Sequence, residues 1–442
     1  MGTGPGDGPE KEDGMTEAAE KAQTIRAAEH DGMRVNMARL HQDILDLGQV
    51  GRDAVLGLNR RAFSDGDRQG RDWFRQRLAT AGLELFQDGA ANLHGRLEYD
   101  GQRPAVVMGS HLDTVPGGGP LDGALGVLVG LEVLRRVKEE GIPLRYPLEV
   151  IDFSDEEGRF GGMFGSQALA GQLTPERIQT ARDLEGVTLV DAMASWGLDA
   201  NEALTARRDP ATIHAFLELH IEQGPVLDRK RIGVGIVEAI TGLFKWEVRL
   251  KGQPNHAGTT PMDMRIDAFQ GLAEFGSAIN RILEEHGGPN SRATIGRVEL
   301  WPGAPNTIPG QATFSFEVRD TDERVLKALS DASRRTLSSI ARRRDLMFEF
   351  DVLSEITPTR CDPGLLDLLA SEAETMGLDY LRLPSGAAHD TQSMSAVTRT
   401  GMIFVPSIEG RSHSSGEWTN WEDIEAGANL MLRSVLALAA RH

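Results

Sequence analysis

Between Pro104 and Glu157 the chain alternates short apolar runs with one helical pattern, and that order leaves few folds open. "PAVVMGS" (Pro104–Ser110) has the composition of a short buried strand. After Asp122, "GALGVLVGLEVLRRVKEEGI" reads as a helix ending at Gly141, and "YPLEVIDFSDEEG" is a second buried strand running into acids. Strands alternating with helices predict an α/β layer with a mostly parallel sheet. In such sheets ligand groups collect at the carboxyl ends of the strands. "GSHLDTVPGGGPLDG" and "SDEEG" both lie at such ends.

Helical spacing also marks Val35–Val50 and Gly70–Leu83. From about Gly233 the pattern changes. "LFKWEVRLKG" alternates, "RIDAFQGLAEFGSAINRILEEHG" is helical, and "ATIGRVEL" and "QATFSFEVRD" are strands. "ERVLKALSDASRRTLSSIARRR" is helical again and "MFEFDVL" is a strand. This β-α-β-β-α-β order is that of a ferredoxin-like sandwich. The expectation is a compact domain over 233–353, inserted into a first domain formed by 31–232 and 354–442. "GLLDLLASEAETMG" and "WEDIEAGANLMLRSVLALAARH" return to that first domain as helices. A chain of 442 residues is long enough for two domains.

Composition removes several function classes. With 47 basic against 66 acidic residues the net charge is −19, a surface that repels nucleic acid phosphate and anionic membrane. The single cysteine, Cys361, excludes an internal disulfide framework and a thiolate zinc site, and suits a reducing cytoplasm. No run approaches the roughly 18 apolar residues of a membrane span. The Gly-, Pro- and acid-rich residues 1–30 lack the apolar core of a signal peptide and read as a disordered tail outside the fold.

Five places combine ligand-type side chains with strand ends or Gly-rich loops: His111 with Asp113, Asp122, Glu156 with Glu157, His220 and His413. Each alone suits a plainer role. His220 and His413 could be surface or packed histidines, "DEE" a solvated turn, and Asp122 a helix N-cap. Together, imidazole and carboxylate without thiolate suit Zn²⁺ or Mn²⁺. A dinuclear site also needs a bridging carboxylate and a neighbouring one free to take a proton from water.

In order along the chain, "GSHLDTVPGGGPLDGALGV", "DEEGRF", "ELHIEQGP", "NHAGTTPM", "PNTIPG", "SGAAHD" and "SHSSGEW" resemble the motifs of hydantoinase/carbamoylase-type metallohydrolases. That group includes N-carbamoyl-L-amino-acid hydrolases, allantoate amidohydrolases and β-ureidopropionases, within the zinc aminoacylase/carboxypeptidase superfamily. The resemblance runs from Val35 to the C-terminus. It implies two divalent ions per subunit, Zn²⁺ first with Mn²⁺, Co²⁺ or Ni²⁺ as alternatives, held by His111, Asp122, Glu157, His220 and His413, with Asp122 bridging. It implies Glu156 as general base and Asp113 as the group that accepts the second N–H of His111. Gln223, Asn306 and Arg319 match substrate-binding positions, Arg319 suiting bidentate capture of a carboxylate. Gly386 and His389 match pocket positions.

The resemblance also implies that the first domain is catalytic and the inserted one a lid, and that His256 stabilises the transition state in the site of a partner subunit, so that the lid joins a homodimer. The implied reaction is hydrolysis of the ureido C–N bond of a small N-carbamoyl-L-amino acid, with release of ammonia and CO₂. Allantoate amidohydrolase is the nearest rival, followed by an aminoacylase or aminopeptidase, and then by a metal-free binding protein on the same scaffold. Three departures from the usual motifs stand out. Ala388 and Thr391 in "SGAAHDT" are expected to reshape the pocket, Ser415 replaces a common proline, and "EEGRF" is one residue short.

Overall fold

The computed structural model describes residues 32–441, so the tail read over residues 1–30 lies outside the described residues. The chain opens with helix α1 (Met37–Leu47), capped by the Asn36 side chain, which accepts from the Arg39 amide. Helix α2 (Asp65–Thr80) starts five residues before the apolar spacing does. There Ser64 caps it, and Asp65 and Asp67 complement its dipole. Strands β1 (Glu84–Gln87), β2 (Leu93–Leu97) and β3 (Ala105–His111) follow, then helix α3 (Ala124–Glu139) and strand β4 (Leu148–Phe153). All residues of β3 and β4 are buried, as the continuous apolar runs require.

Three short helices, Phe164–Leu169, Pro175–Thr180 and Leu189–Ala194, fill the long connection after β4. They close a local core around Phe63, Phe160 and Met193. Strands β5 (Ile213–Ile221) and β6 (Val234–Ile240) complete this half.

Next come β7 (Gly242–Lys251), α4 (Ala268–His286), β8 (Arg292–Thr294), β9 (Val298–Trp301), β10 (Gln311–Asp320), α5 (Glu323–Arg343) and β11 (Met347–Ile356). The run "ATIGRVEL" is split into β8 and β9 because the Arg297 amide bonds to the Ser315 hydroxyl instead of a main-chain carbonyl. The sheet is antiparallel in the order β8-β10-β7-β11, with β9 also on β10. One face buries Phe244, Trp246, Phe314 and Phe316 beneath Phe275, Leu329 and Leu337 of the two helices.

Helix α6 (Pro363–Thr375), strand β12 (Thr400–Val405) and helix α7 (Trp421–Ala439) end the chain. Seven strands of the nine-stranded main sheet run β1-β2-β4-β3-β5-β12-β6, and Thr359–Arg360 and Tyr380–Ser385 pair with β6. Its centre, β4-β3-β5-β12, is parallel, and both flanks are antiparallel. The chain is therefore an α/β protein with a mostly parallel central sheet. It divides into two compact units, one running to Val237 with Cys361–Arg382 and His389 onward, the other comprising Glu238–Arg360 and Leu383–Ala388. Among the described residues no helix is long and apolar enough to cross a membrane.

Candidate metal centre

The carboxyl ends of β3, β4 and β5 lie side by side because these strands are neighbours in the parallel part of the sheet. His111 is the last residue of β3, Glu156 and Glu157 follow β4, and His220 is near the end of β5. Asp122 stands before α3 on a glycine-rich loop. It does not cap that helix: Gly123 occupies the cap position with φ 64° and no side-chain bond is made. The positive φ favours glycine, and a Cβ there would fall 2.4 Å from the His111 ring. The Asp122 carboxylate turns to the histidines instead.

Two groups of ligand-type atoms, each within 4.8 Å of one another, share this carboxylate: His111, Asp122 and His220, and Asp122, Glu157 and His413. Asp122 Oδ1 lies 3.1 Å from His220 Nε2 and 3.8 Å from His111 Nε2. Its Oδ2 lies 3.3 Å from His413 Nε2, and Glu157 Oε2 is 3.5 Å from that same nitrogen. Glu156 Oε2 is 3.5 Å from His111 Nε2. Each buried ring gives Nδ1 to a main-chain carbonyl, His111 to Asp113 O (3.0 Å) and His220 to Ile221 O (2.8 Å). A carbonyl only accepts, so Nε2 is the nitrogen left facing the acids.

Asp113 accepts the ring N–H of His111 through its main chain. Its carboxylate, 3.7 Å away from Nδ1, accepts the amides of Glu156 (3.3 Å) and Glu157 (3.2 Å). Gln223, at φ 58°, stands within the centre and donates from Nε2 to Asp122 Oδ2 (2.7 Å). Buried His389 packs its ring 4.6 Å from that of His220. The remaining predicted residues belong to the second unit. There, loops 253–260 and 304–310 bring exposed His256 and Asn306 together through the Ala257 amide on Asn306 O (2.9 Å). Arg319 donates from Nη1 to Gly386 O (2.6 Å) and from Nε to Glu317 (2.8 Å), and a Cβ on Gly386 would meet no protein atom within 4 Å.

Several supporting residues lie inside the quoted motifs without having been assigned these contacts. Glu417 Oε1 accepts the amides of Leu121 and Asp122 (both 2.9 Å), and the Ser412 hydroxyl donates to Asp122 Oδ2 (2.7 Å). Buried Glu218 takes the Ser110 hydroxyl and both the amide and hydroxyl of Thr391, so the third cluster, Glu218, His220 and His389, has an acid already saturated by protein donors. Thr391 is fully buried, and its departure from the usual motif faces Glu218.

The electrostatics call for added positive charge. Among the described residues the ion-pair partners of Asp122, Glu156 and Glu157 are histidines. Burial, reinforced by Asp390 and Glu157, pushes Glu156 well above the usual carboxylate range. Burial with Asp122 and Asp113 does the same to Glu157. Burial opposes a charge on His220, but the bond to Asp122 together with the charges of Asp122 and Glu218 raises it to about 9. Glu157 Oε1 has no hydrogen-bond partner. A shared carboxylate, converging Nε2 atoms and unneutralised acids fit divalent cations.

The comparisons with known proteins agree with this geometry. The model of "Peptidase family M20/M25/M40" matches residues 107–437. The chain belongs to that family. Among its M20 relatives, an N-carbamoyl-L-amino acid amidohydrolase of Geobacillus stearothermophilus is 38% identical over 91% of this chain and 98% of its own. An allantoate amidohydrolase of Escherichia coli strain K12 is 36% identical over 89% and 96%. A solved hydantoinase/carbamoylase family amidase from Burkholderia multivorans superimposes with a TM-score of 0.84 at 34% identity, covering 92% of this chain and 99% of that one. The M20 chain described here is accordingly a hydrolase of C–N bonds in linear amides, of the hydantoinase/carbamoylase type. The family implies divalent metal ions, and the chain has the side-chain groups to hold them.

Proposed function

We propose that the protein hydrolyses the ureido C–N bond of an N-carbamoyl-L-amino acid, using two divalent ions, zinc by preference. The observation that carries this reading is the Asp122 carboxylate, which offers one oxygen to each of two ligand groups while Glu156 stands beside them. In this reading His111, Asp122 and His220 hold one ion, Asp122, Glu157 and His413 the other. Ions held there polarise the scissile carbonyl and ease deprotonation of water. Glu156 takes the proton of the attacking water and delivers it to the amino-acid nitrogen as the C–N bond breaks. The carbamate left behind decomposes to ammonia and CO₂.

The other residues bind and orient. Gln223 and His389 line the same site, and Arg319, held by Glu317 and the Gly386 carbonyl, captures the substrate carboxylate with its remaining N–H groups. Asn306 and His256 orient the ureido group, and His256 stabilises the oxyanion from a second copy of the chain. The second unit then serves as lid and joins two chains into a cytoplasmic homodimer. Exposed Val298, Leu300 and Trp301 on β9 support such pairing. Allantoate is the second reading, favoured by the 36% identical relative. Turnover of N-carbamoyl-L-amino acids, allantoate and dipeptides by the metal-loaded enzyme tests both. Preference for carbamoyl amino acids is expected, and faster hydrolysis of allantoate or a dipeptide would overturn the reading.

A further inference from the structure

We propose that Arg60 is a positioning residue that sets both arms of the metal centre through the segment Leu112–Thr114. It is fully buried, yet none of its hydrogen bonds goes to a carboxylate. Nε donates to Leu112 O (2.8 Å), and Nη1 to Leu47 O (3.0 Å) and Val50 O (3.2 Å) at the end of α1. Its main chain grips the same segment, because its amide donates to Thr114 Oγ1 (2.9 Å) and its carbonyl accepts from the Thr114 amide (3.1 Å). Two glycines clear a path for the side chain. A Cβ on Gly51 would lie 2.6 Å from Arg60 Cγ, and one on Gly70 2.8 Å from Cδ.

The gripped segment matters because Asp113 is its middle residue. One residue thereby fixes two candidate groups: its carbonyl orients the His111 ring, and its carboxylate holds the amides of Glu156 and Glu157. From the opposite side Asp152 Oδ1 accepts the Leu112 amide (3.0 Å), and Arg71 pairs with Asp152 (3.2 Å). Leu112 is thus held at its N–H by an acid and at its carbonyl by Arg60. The planar guanidinium places separate nitrogens, Nε and Nη1, against carbonyls of two segments, whereas a lysine offers one nitrogen for both. Arg60 lies one layer behind the side chains that face the cation, and its role is to fix where they point.

This inference rests on the reading of the cluster as a metal centre, and the test separates the two. Apo wild type, Arg60→Lys, Arg60→Met and Thr114→Val are titrated with Co²⁺, following the visible absorption, alongside circular dichroism and Tm. Folded Arg60→Lys is expected to bind Co²⁺ about 10- to 100-fold more weakly, with a changed spectrum and a larger loss in kcat than in KM. Should both Arg60 variants unfold, Thr114→Val removes one of the same bonds with little change of shape. It is expected to weaken Co²⁺ binding, while Thr114→Ser restores it. Wild-type Co²⁺ affinity in any folded Arg60 variant, or in Thr114→Val, would overturn the proposal. Failure of wild type itself to bind Co²⁺ would overturn the metal-centre reading and this inference with it.

Discussion

Glu149 and Glu156 lie on and just beyond the same strand, β4, and burial works against the charge on both, yet their carboxyls are driven in opposite directions. Glu149 is fully buried and held well below the usual range, because Arg208, His94 (2.9 Å) and Arg96 (2.8 Å) outweigh the cost of burial. Glu156 is nearly as buried, but its neighbours are Asp390, Glu157, Asp113 and Asp122, and it is pushed well above that range. One cluster carries its own cations. The other gathers acids and imidazoles without them. The strand ends are thus built to receive positive charge from outside the chain, since an uncompensated buried charge is costly.

The largest effect is expected from removing the base. Glu156→Gln should lower kcat by about 100- to 10,000-fold while leaving metal bound, because an amide accepts no proton. Glu157→Gln should lose metal as well as activity. Equal metal content in the two variants, measured by elemental analysis, would erase the distinction between them.

The compensated cluster should respond in stability. Glu149→Leu leaves Arg96, Arg208 and His94 around an apolar side chain and should cost about 3–5 kcal/mol in urea unfolding, with kcat per folded molecule unchanged. A loss below about 1 kcal/mol, the scale of a surface pair, would show that these charges do not depend on one another.

A smaller effect is expected at Arg319. Arg319→Ala should raise KM about 10- to 100-fold for substrates with a free carboxylate, the loss of a charged hydrogen-bonded pair. Amidated substrates should be poor for wild type and little changed by the substitution. Equal losses on both would make Arg319 a structural residue of β10.

The smallest effect concerns His94, whose Nδ1 faces Glu149 (2.9 Å) and Nε2 faces Asp88 (3.3 Å). Burial opposes its charge, but bonds to these acids raise its pKa above the ordinary 6.5. The folded state therefore holds the proton more tightly than the unfolded one. The stability this contributes is complete below pH 6.5 and is lost as pH rises through the raised value. Urea midpoints measured from pH 6 to 9 should fall in wild type and flatten in His94→Gln. Parallel slopes would remove His94 from the compensated cluster.

Sequence readability followed the range of the forces involved. Buried strands such as β3 and β4, and the amphipathic helices α4 and α5, are written in local periodicity, so their existence was readable. Acids and histidines at strand ends were readable for the same reason, because a parallel sheet fixes where strand ends go. The short helices between Phe164 and Ala194 were not, since six residues hold too little periodicity to stand out. Arg60 and Asp152 were hidden, and Glu417, though inside the motif "SHSSGEW", gave no sign of which groups it holds. Their roles depend on partners 52, 40 and 296 residues away, and nothing adjacent to them marks that contact. That Asp113 meets His111 through its carbonyl, and the Glu156 and Glu157 amides through its carboxylate, depends on the fold of the loop and is not written in the sequence.

The strand-end acids are completed, in this reading, by divalent cations that the chain does not supply. Metal content and amide hydrolysis, measured on the same sample during stepwise chelation and re-addition, test it most directly. About two divalent ions per chain are expected, as a dinuclear site requires. Activity should fall with the ions, and both should return on re-addition. Full activity in protein stripped of metal would contradict this reading.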